Sequence, residues 1–413
     1  MPDRPLVDGF RGLVVDLDGV VYRGPDPVAH AADALDAAVA DGLQVMYATN
    51  NAGRPADAVV EHLAELGVHT NADHVVTSAQ AGAALLAEQL DPGSTVLAIG
   101  GPGVAIALRQ AGLEPVSPQD RIDDPAVAGR VVAVLQGYGT ELSWSDLKEA
   151  AYAVAAGATW MATNVDLTIP TERGIAPGNG SAVQAVGNAV QREPQVAGKP
   201  HPPLYLMCAE RAGGEVTSML AIGDRLDTDI EGANAAGMQS LHVLTGVDGL
   251  VALASADEQL RPTYLGLDLR ALREPYAGVE VAVSGRAGQA SEGSEGNEDG
   301  QDSVDGQGSV DVDSVDGRDS VDVDSVDGRD SVDGRDSVDV DSVDGDDVVA
   351  VCGDARATVS GRGDDATLVV DGGAVVERAR AAVAATWAAR DDGRIGIPLP
   401  APMLEALDAL DPR

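Results

Sequence analysis

At 413 residues the chain is long enough to expect more than one folded unit. Hydrophobic residues make up 44% of it and aromatic residues only 3%, so the core has to be built from Ala, Val, Leu and Ile. A formal net charge of −40 argues against nucleic acid or an anionic membrane as a partner, and no stretch approaches a membrane-spanning length free of charge.

Met1 to Gly12 has no apolar signal region, so the protein is expected in the cytoplasm. Leu13-Val14-Val15 then reads as a buried strand. Pro27 to Asp41 has helical spacing and stops at Gly42. Leu43 to Ala48 is the next strand, and a helix follows from Pro55 to Gly67. This β-α-β-α rhythm, continuing to about residue 275, predicts a parallel sheet covered by helices. Ligand sites in such sheets lie beyond the carboxyl ends of the strands. Gly100-Gly101-Pro102-Gly103 lacks the spacing of a phosphate loop and reads as a turn.

The character changes at Ser291. Arg318 to Gly328 reads RDSVDVDSVDG, and the same eleven residues recur from Arg335 to Gly345. Isolated valines among aspartates cannot bury enough surface to offset chain entropy, so residues 291–345 are expected to be disordered. A calcium-binding β-roll is the alternative, but its glycine pattern is missing. Val279 to Val283, Val348 to Cys352, Ala355 to Ser360 and Thr367 to Val370 look like strands, and Ala374 to Ala389 like a helix. The repeat then reads as a long loop inside one small α+β unit.

Between Glu292 and Asp347 there are 21 acidic residues against three arginines, a charge of −18, so the remainder still carries −22. Lysine occurs only at Lys148 and Lys199. An acidic surface built almost without lysine fits a halophilic protein, whose self-repulsion is screened by salt. A generic acidic protein from a GC-rich genome is the plainer reading. Cys208 and Cys352 show neither a disulfide framework nor metal-ligand spacing.

Four segments carry candidate chemistry. Asp16-Leu17-Asp18-Gly19-Val20 directly follows the first strand. Two carboxylates at a strand end can divide labour, one attacking phosphorus and one handling a proton; a simple strand-end turn is the alternative. The same Asp-x-Asp spacing recurs in the acidic repeat without function, so context alone raises this copy. Thr49-Asn50-Asn51 ends the second strand and offers donors to a phosphate, or an ordinary cap. Gly198-Lys199-Pro200 holds one of the two lysines, where a compact point charge is useful; His201 beside it reads as a packing or supporting residue. Gly223-Asp224-Arg225-Leu226-Asp227-Thr228-Asp229 follows the apolar strand Met219 to Ile222. It offers hard oxygen ligands of the kind Mg²⁺ takes, or a helix start capped by Asp227 or Thr228.

In this order the segments resemble the haloacid dehalogenase superfamily, specifically the subfamily with a large α/β cap that includes NagD-like, 4-nitrophenylphosphatase-like and phosphoglycolate-phosphatase-like enzymes. The resemblance rests on DLDGV at Asp16, ATNN at Thr49, TNVDLTIPTERG from Thr163, GKP at Lys199 and GDRLDTD at Asp224, and covers roughly residues 8–272. It implies a Mg²⁺-dependent phosphatase acting on a small phosphorylated metabolite. Asp16 would be the nucleophile that forms an aspartyl-phosphate. Asp18 would be the general acid and base, its carbonyl on Mg²⁺. Thr49, with Asn50 and Asn51 nearby, would bind the phosphoryl group, and Lys199 would neutralise it together with Asp16. Asp224 would ligate Mg²⁺ and Asp229 would support it. Asn164 and Asp166 either touch substrate or stabilise their loop.

The implied organisation is a doubly wound catalytic core at 1–80 and 191–275, a cap at 81–190, and a small α+β unit at 276–290 and 346–413. Self-association through the cap or the C-terminal unit fits this plan. Two other functions use the same residues: phosphotransfer to an acceptor other than water, and non-catalytic binding of a phosphorylated ligand. The intact Asp16, Asp18, Lys199 and Asp224 argue against the last.

Overall fold

The computed structural model describes residues 4–171, 173–283 and 347–412. Its centre is a six-stranded, all-parallel sheet. From one edge to the other the strands are Tyr264–Gly266, Gln239–Val243, Met219–Gly223, Gly12–Val15, Gln44–Thr49 and Val75–Thr77. Gly12–Val15 and Met219–Gly223 are buried along their whole length. That is why they are continuously apolar, as central strands covered on both faces must be. From Gly12–Val15 the chain winds outward in one direction, then returns at Met219–Gly223 and winds outward in the other. The strand order therefore reverses between these two neighbours, and a crevice opens beyond their carboxyl ends.

Helix Ser78–Gln89, opened by a capping box at Thr77, leads into a second parallel sheet. Its order is Gln195–Val196, Thr159–Ala162, Ala133–Gln136, Thr95–Ile99 and Glu114–Val116. Thr168–Thr171 and Gly174–Pro177 pair as a separate antiparallel hairpin. One apolar cluster runs unbroken between the two sheets, from Val14 and Met46 through Leu86 to Leu135 and Met161.

The third unit is an antiparallel sheet, Val279–Val283, Val348–Cys352, Ala355–Ser360 and Thr367–Asp371, backed by helices Val375–Asp391 and Ala401–Leu410. Ala379, Ala382, Ala385 and Ala389 are buried, so the first helix lies close against its sheet. The unit also covers the open edge of the central sheet. Leu265 donates its N–H to the Tyr276 hydroxyl at 3.1 Å and accepts from Arg380 Nε at 2.9 Å. The Arg380 guanidinium lies 3.8 Å from the Tyr276 ring centroid. Backbone groups that an edge strand would leave unpaired are satisfied in this way.

The parallel α/β architecture matches the expectation from sequence, with local differences. Gly100 to Gly103 is more than a turn: Gly101 precedes helix Pro102–Gln110, and Pro102 sits where its missing N–H costs nothing. The first helix starts only at Ala31, because Asp26–Pro27 pairs with Tyr22–Arg23. Neither Asp227 nor Thr228 caps the π-helical turn Leu226–Ile230; it opens at Arg225 without a side-chain cap. The repeat at 291–345 lies outside the described residues. No helix among the described residues is long and apolar enough to cross a membrane.

Candidate active site

Asp16 is the first residue past the strand Gly12–Val15, between the ends of its two neighbours. Lys199 Nζ bonds to Asp16 Oδ1, donates to Asp229 Oδ1 at 2.7 Å and reaches the Ala48 carbonyl at 3.3 Å. The lysine is buried, with 3% of its surface exposed. Burial alone would depress its pKa, but the charges of Asp16 and Asp229 outweigh that and hold it well above the usual value. Asp229 is fully engaged. Its second oxygen accepts from the N–H groups of Asp224 and Arg225 at 3.3 and 3.2 Å, and its carbonyl accepts from the Tyr205 hydroxyl at 2.9 Å. It supports the site by fixing Lys199 and the start of the Asp224 loop.

Asp224 is 1% exposed. Its Oδ2 accepts from Val247 N at 2.6 Å, while its buried Oδ1 has no hydrogen-bond partner. Two glycines press on this carboxylate. A Cβ on Gly19, whose φ is +84°, would lie 2.4 Å from Oδ2, and one on Gly246 would lie 1.8 Å away. Oxygens of Asp16, Asp224 and Asp229 all fall within 4.8 Å of one another. Burial and then the neighbouring Asp229 push the Asp224 pKa up to about 7. Asp16 is raised well above the carboxylate range, burial being the largest cause, although Lys199 opposes it. Three carboxylates share one ammonium here, and one buried oxygen is bare. That arrangement fits a hard divalent cation held by Asp16 and Asp224.

Asp18 opens to solvent at the crowded mouth of the crevice. The surrounding protein raises its carboxyl pKa, and the positive charges of Lys199, His62 and Arg54 only partly offset this. The carbonyl of the next residue, Gly19, accepts from Thr245 Oγ1 at 2.6 Å.

The loop after Gln44–Thr49 is tied together by its own side chains. Thr49 Oγ1 accepts from Asn51 N at 3.1 Å, and Asn51 Oδ1 accepts from Gly53 N at 2.9 Å. The Thr49 hydroxyl hydrogen remains able to donate. The Asn50 side chain is engaged by protein groups. It donates to Asp166 at 3.1 Å and to the Lys199 carbonyl at 3.1 Å, and accepts from Lys199 N at 2.8 Å. The Asn50 carbonyl accepts from Asn164 Nδ2 and from Ser78 Oγ, both at 2.7 Å. Asn164 and Asp166 are thereby brought against the core loop. His201 is exposed and does not pack as expected.

The sequence reading missed the Thr245 to Asp248 segment, Tyr205, and the group around Asp18. In that group Tyr22 meets His62 edge-on at 4.9 Å. A strand followed by Thr-Gly-Val-Asp-Gly was the available signal for the first; the others have no local pattern.

This crevice, with a paired lysine and aspartate and a bare carboxylate oxygen at the strand-order reversal, defines a haloacid-dehalogenase-type phosphatase site. The comparisons agree. Residues 13–114 match the family model described as haloacid dehalogenase-like hydrolase, and 196–272 match a HAD-hydrolase-like model. D-glycerol 3-phosphate phosphatase of Mycobacterium tuberculosis is 47% identical over 283 residues, covering 67% of this chain and 76% of that protein. Acid sugar phosphatase of Staphylococcus aureus is 34% identical over 260 residues, covering 63% of this chain and 95% of that protein. The crystal structure of the glycerol phosphate phosphatase from M. tuberculosis in complex with magnesium superposes with a TM-score of 0.62 at 44% identity, covering 68% of this chain and 85% of that one. The chain belongs to the haloacid dehalogenase-like hydrolases and is a Mg²⁺-dependent phosphoric monoester hydrolase.

Proposed function

We propose that this phosphatase hydrolyses a small polyol or sugar phosphate, with Asp16 as the covalent nucleophile. The observation that carries the reading is the Lys199 ammonium bonded to Asp16 beside the bare oxygen of Asp224. Phosphoryl transfer needs alignment and charge neutralisation above all, and this site supplies both. When bound between Asp16 and Asp224, Mg²⁺ neutralises negative charge on the phosphoryl oxygens.

The chain's own residues perform the steps. Lys199 and the Thr49 hydroxyl hold the phosphoryl oxygens. Asp16 Oδ2 attacks phosphorus, the ester oxygen departs, and Asp18 gives it a proton. The Asp18 carboxylate then takes a proton from water as that water attacks phosphorus. Phosphate leaves and Asp16 is restored. The protein around Asp18 raises its carboxyl pKa above the ordinary carboxylate value, which favours the protonated form the first step needs.

The names of the relatives in M. tuberculosis and S. aureus support a polyol or sugar as leaving group. We place the catalytic core at residues 1–80 and 191–275, and the cap that encloses the leaving group at 81–190. The acidic, lysine-poor composition supports a salt-tolerant protein. The test is release of phosphate from glycerol 3-phosphate and from hexose phosphates at high salt with Mg²⁺, alongside acid quench for a phosphorylated Asp16. Phosphate release with no trapped intermediate under single turnover refutes the covalent route. Transfer of phosphate to an added polyol in place of water would identify a phosphotransferase.

A further inference from the structure

The C-terminal unit has no share in the chemistry above, yet it is packed against the segment that holds Asp224. That segment, Thr245 to Leu250, grips the aspartate repeatedly. Val247 N donates to Asp224 Oδ2 at 2.6 Å, and Asp248 N donates to the Asp224 carbonyl at 3.1 Å. Gly246 leaves no room for a side chain against the same carboxylate. Asp248 Oδ2 also accepts from Leu226 N at 2.7 Å, so the segment and the turn after Asp224 are locked together.

Two observations join this clamp to the C-terminal unit. Leu226, Leu244 and Leu250, at the clamp's margins, share one buried apolar cluster with Val383, Met403 and Leu407 of the C-terminal helices. Leu250 N donates to Asp411 Oδ2 at 3.1 Å, and Asp411 directly follows helix Ala401–Leu410. The far end of the clamp is therefore fixed by a residue of the last helix. Protein interiors are close-packed, so a shift at Leu250 is passed along the segment and not absorbed.

We propose that the C-terminal unit positions the Mg²⁺ site, with Asp411 as a positioning residue that acts through Leu250, Asp248 and Val247 on Asp224. The proposal rests on Asp224 being a Mg²⁺ ligand. Groups that orient metal ligands typically change affinity by about 10- to 100-fold when removed. Asp411 stands further out, so a weakening of about three- to tenfold is expected.

The test uses the full chain and magnesium chloride alone, without substrate. The thermal midpoint is followed against Mg²⁺ concentration, which yields a dissociation constant by linkage. Asp411→Ala should weaken Mg²⁺ binding by the stated factor. Asp411→Asn keeps an oxygen acceptor and should bind within about twofold of wild type. At saturating Mg²⁺ the kcat of Asp411→Ala should lie within about twofold of wild type, since its defect is in occupancy. Wild-type Mg²⁺ affinity in Asp411→Ala overturns the proposal even if its midpoint in EDTA falls, because the contact would then be merely structural. Equal weakening by Asp411→Asn also overturns it, since charge and not the hydrogen bond would be acting. Asp224→Asn is the separate control: unchanged Mg²⁺ binding there would refute the ligand assignment itself.

Discussion

Asn50 closes a two-point hydrogen-bonded ring with the backbone of Lys199. Its Nδ2 donates to the Lys199 carbonyl at 3.1 Å, and its Oδ1 accepts from the Lys199 N–H at 2.8 Å. The same Nδ2 reaches Asp166, at the return from the second sheet. The amide thus ties three loops together and is spent on protein partners. Asn50→Ala is expected to let Lys199 drift from Asp16 and lower kcat by about 10- to 100-fold, since misplacement of about 1 Å is enough for that. Steady-state kinetics distinguish the alternatives. A rise in KM with kcat retained would mean that Asn50 touches substrate instead.

Lys199 is the one ammonium among three carboxylates, of which Asp224 and Asp229 are buried and Asp16 is partly exposed. Lys199→Ala leaves Asp16 and Asp229 without a counter-charge, and breaking a buried pair in this way costs about 3–5 kcal/mol. The variant is expected to be inactive and to unfold at lower urea concentration in EDTA, with part of the loss recovered in Mg²⁺. Asp16→Asn should also be inactive under the proposed mechanism, because an amide cannot act as the nucleophile in place of the carboxylate. In that variant Lys199 keeps its Asp229 partner, so the urea midpoint should stay closer to wild type than that of Lys199→Ala.

These two cases show what was legible in the sequence. Asp16, Asp224 and Thr49 announce themselves because each ends an apolar strand, and strand ends in a parallel sheet converge on one crevice. Lys199 stood out as one of two lysines. The antiparallel strands Val279–Val283 and Val348–Cys352 were readable from alternation alone, across 64 intervening residues. The role of Asn50 was not readable, because its partners Asp166 and Lys199 lie 116 and 149 residues away. Nor could the pattern show that Asp229 is fully engaged by Lys199 and two backbone amides. The sequence reading stopped at the helix ending at Ala389, and Ala401–Leu410 lies beyond it after a stretch containing Pro and Gly. Such roles depend on which side chain fills a remaining hydrogen bond, and spacing along the chain does not encode that.

Asp224 titrates near neutrality in the absence of metal, with its pKa pushed up to about 7 by burial and by Asp229. A protonated carboxyl is a poor Mg²⁺ ligand, so binding must displace that proton. The apparent Mg²⁺ affinity is expected to rise with pH as Asp224 loses its proton around pH 7. Mg²⁺ titrations at several pH values without substrate check this. An affinity independent of pH between about 5 and 8 would contradict the assignment of Asp224 as ligand.

In the proposed mechanism Asp18 must be protonated to assist the leaving group, so kcat is expected to fall as pH rises through its elevated pKa. Arg54 is one of the charges that pull this pKa down. Arg54→Ala removes that pull, so the pKa rises further and the alkaline limb of the kcat profile moves to higher pH. The profile at saturating substrate and Mg²⁺ provides the measurement. A limb that stays in place, or moves to lower pH, would mean that Asp18 does not limit the rate as an acid.

Val283 and Val348 are direct partners in an antiparallel ladder, although residues 284–347 separate them in the chain. Whatever joins them need only close a hairpin. The pairing runs through five residue pairs, from Val279 with Cys352 to Val283 with Val348, and the helix Val375–Asp391 packs over it. The registry is therefore set by the burial of Ala282, Val348 and Ala350, not by the length of the connection. Closing a flexible loop costs about 0.6 kcal/mol more for each doubling of its length. Deleting residues 291–345 should then leave stability unchanged or raise it by about 1–2 kcal/mol. The Leu250 contact to Asp411 lies on other elements, so kcat/KM and Mg²⁺ affinity are expected to match wild type. Thermal midpoints at high salt and steady-state kinetics on the deletion variant decide the matter. A fall in the midpoint with kinetics retained would show that the repeat contacts the C-terminal sheet. A fall in kcat/KM would show that it reaches the catalytic crevice.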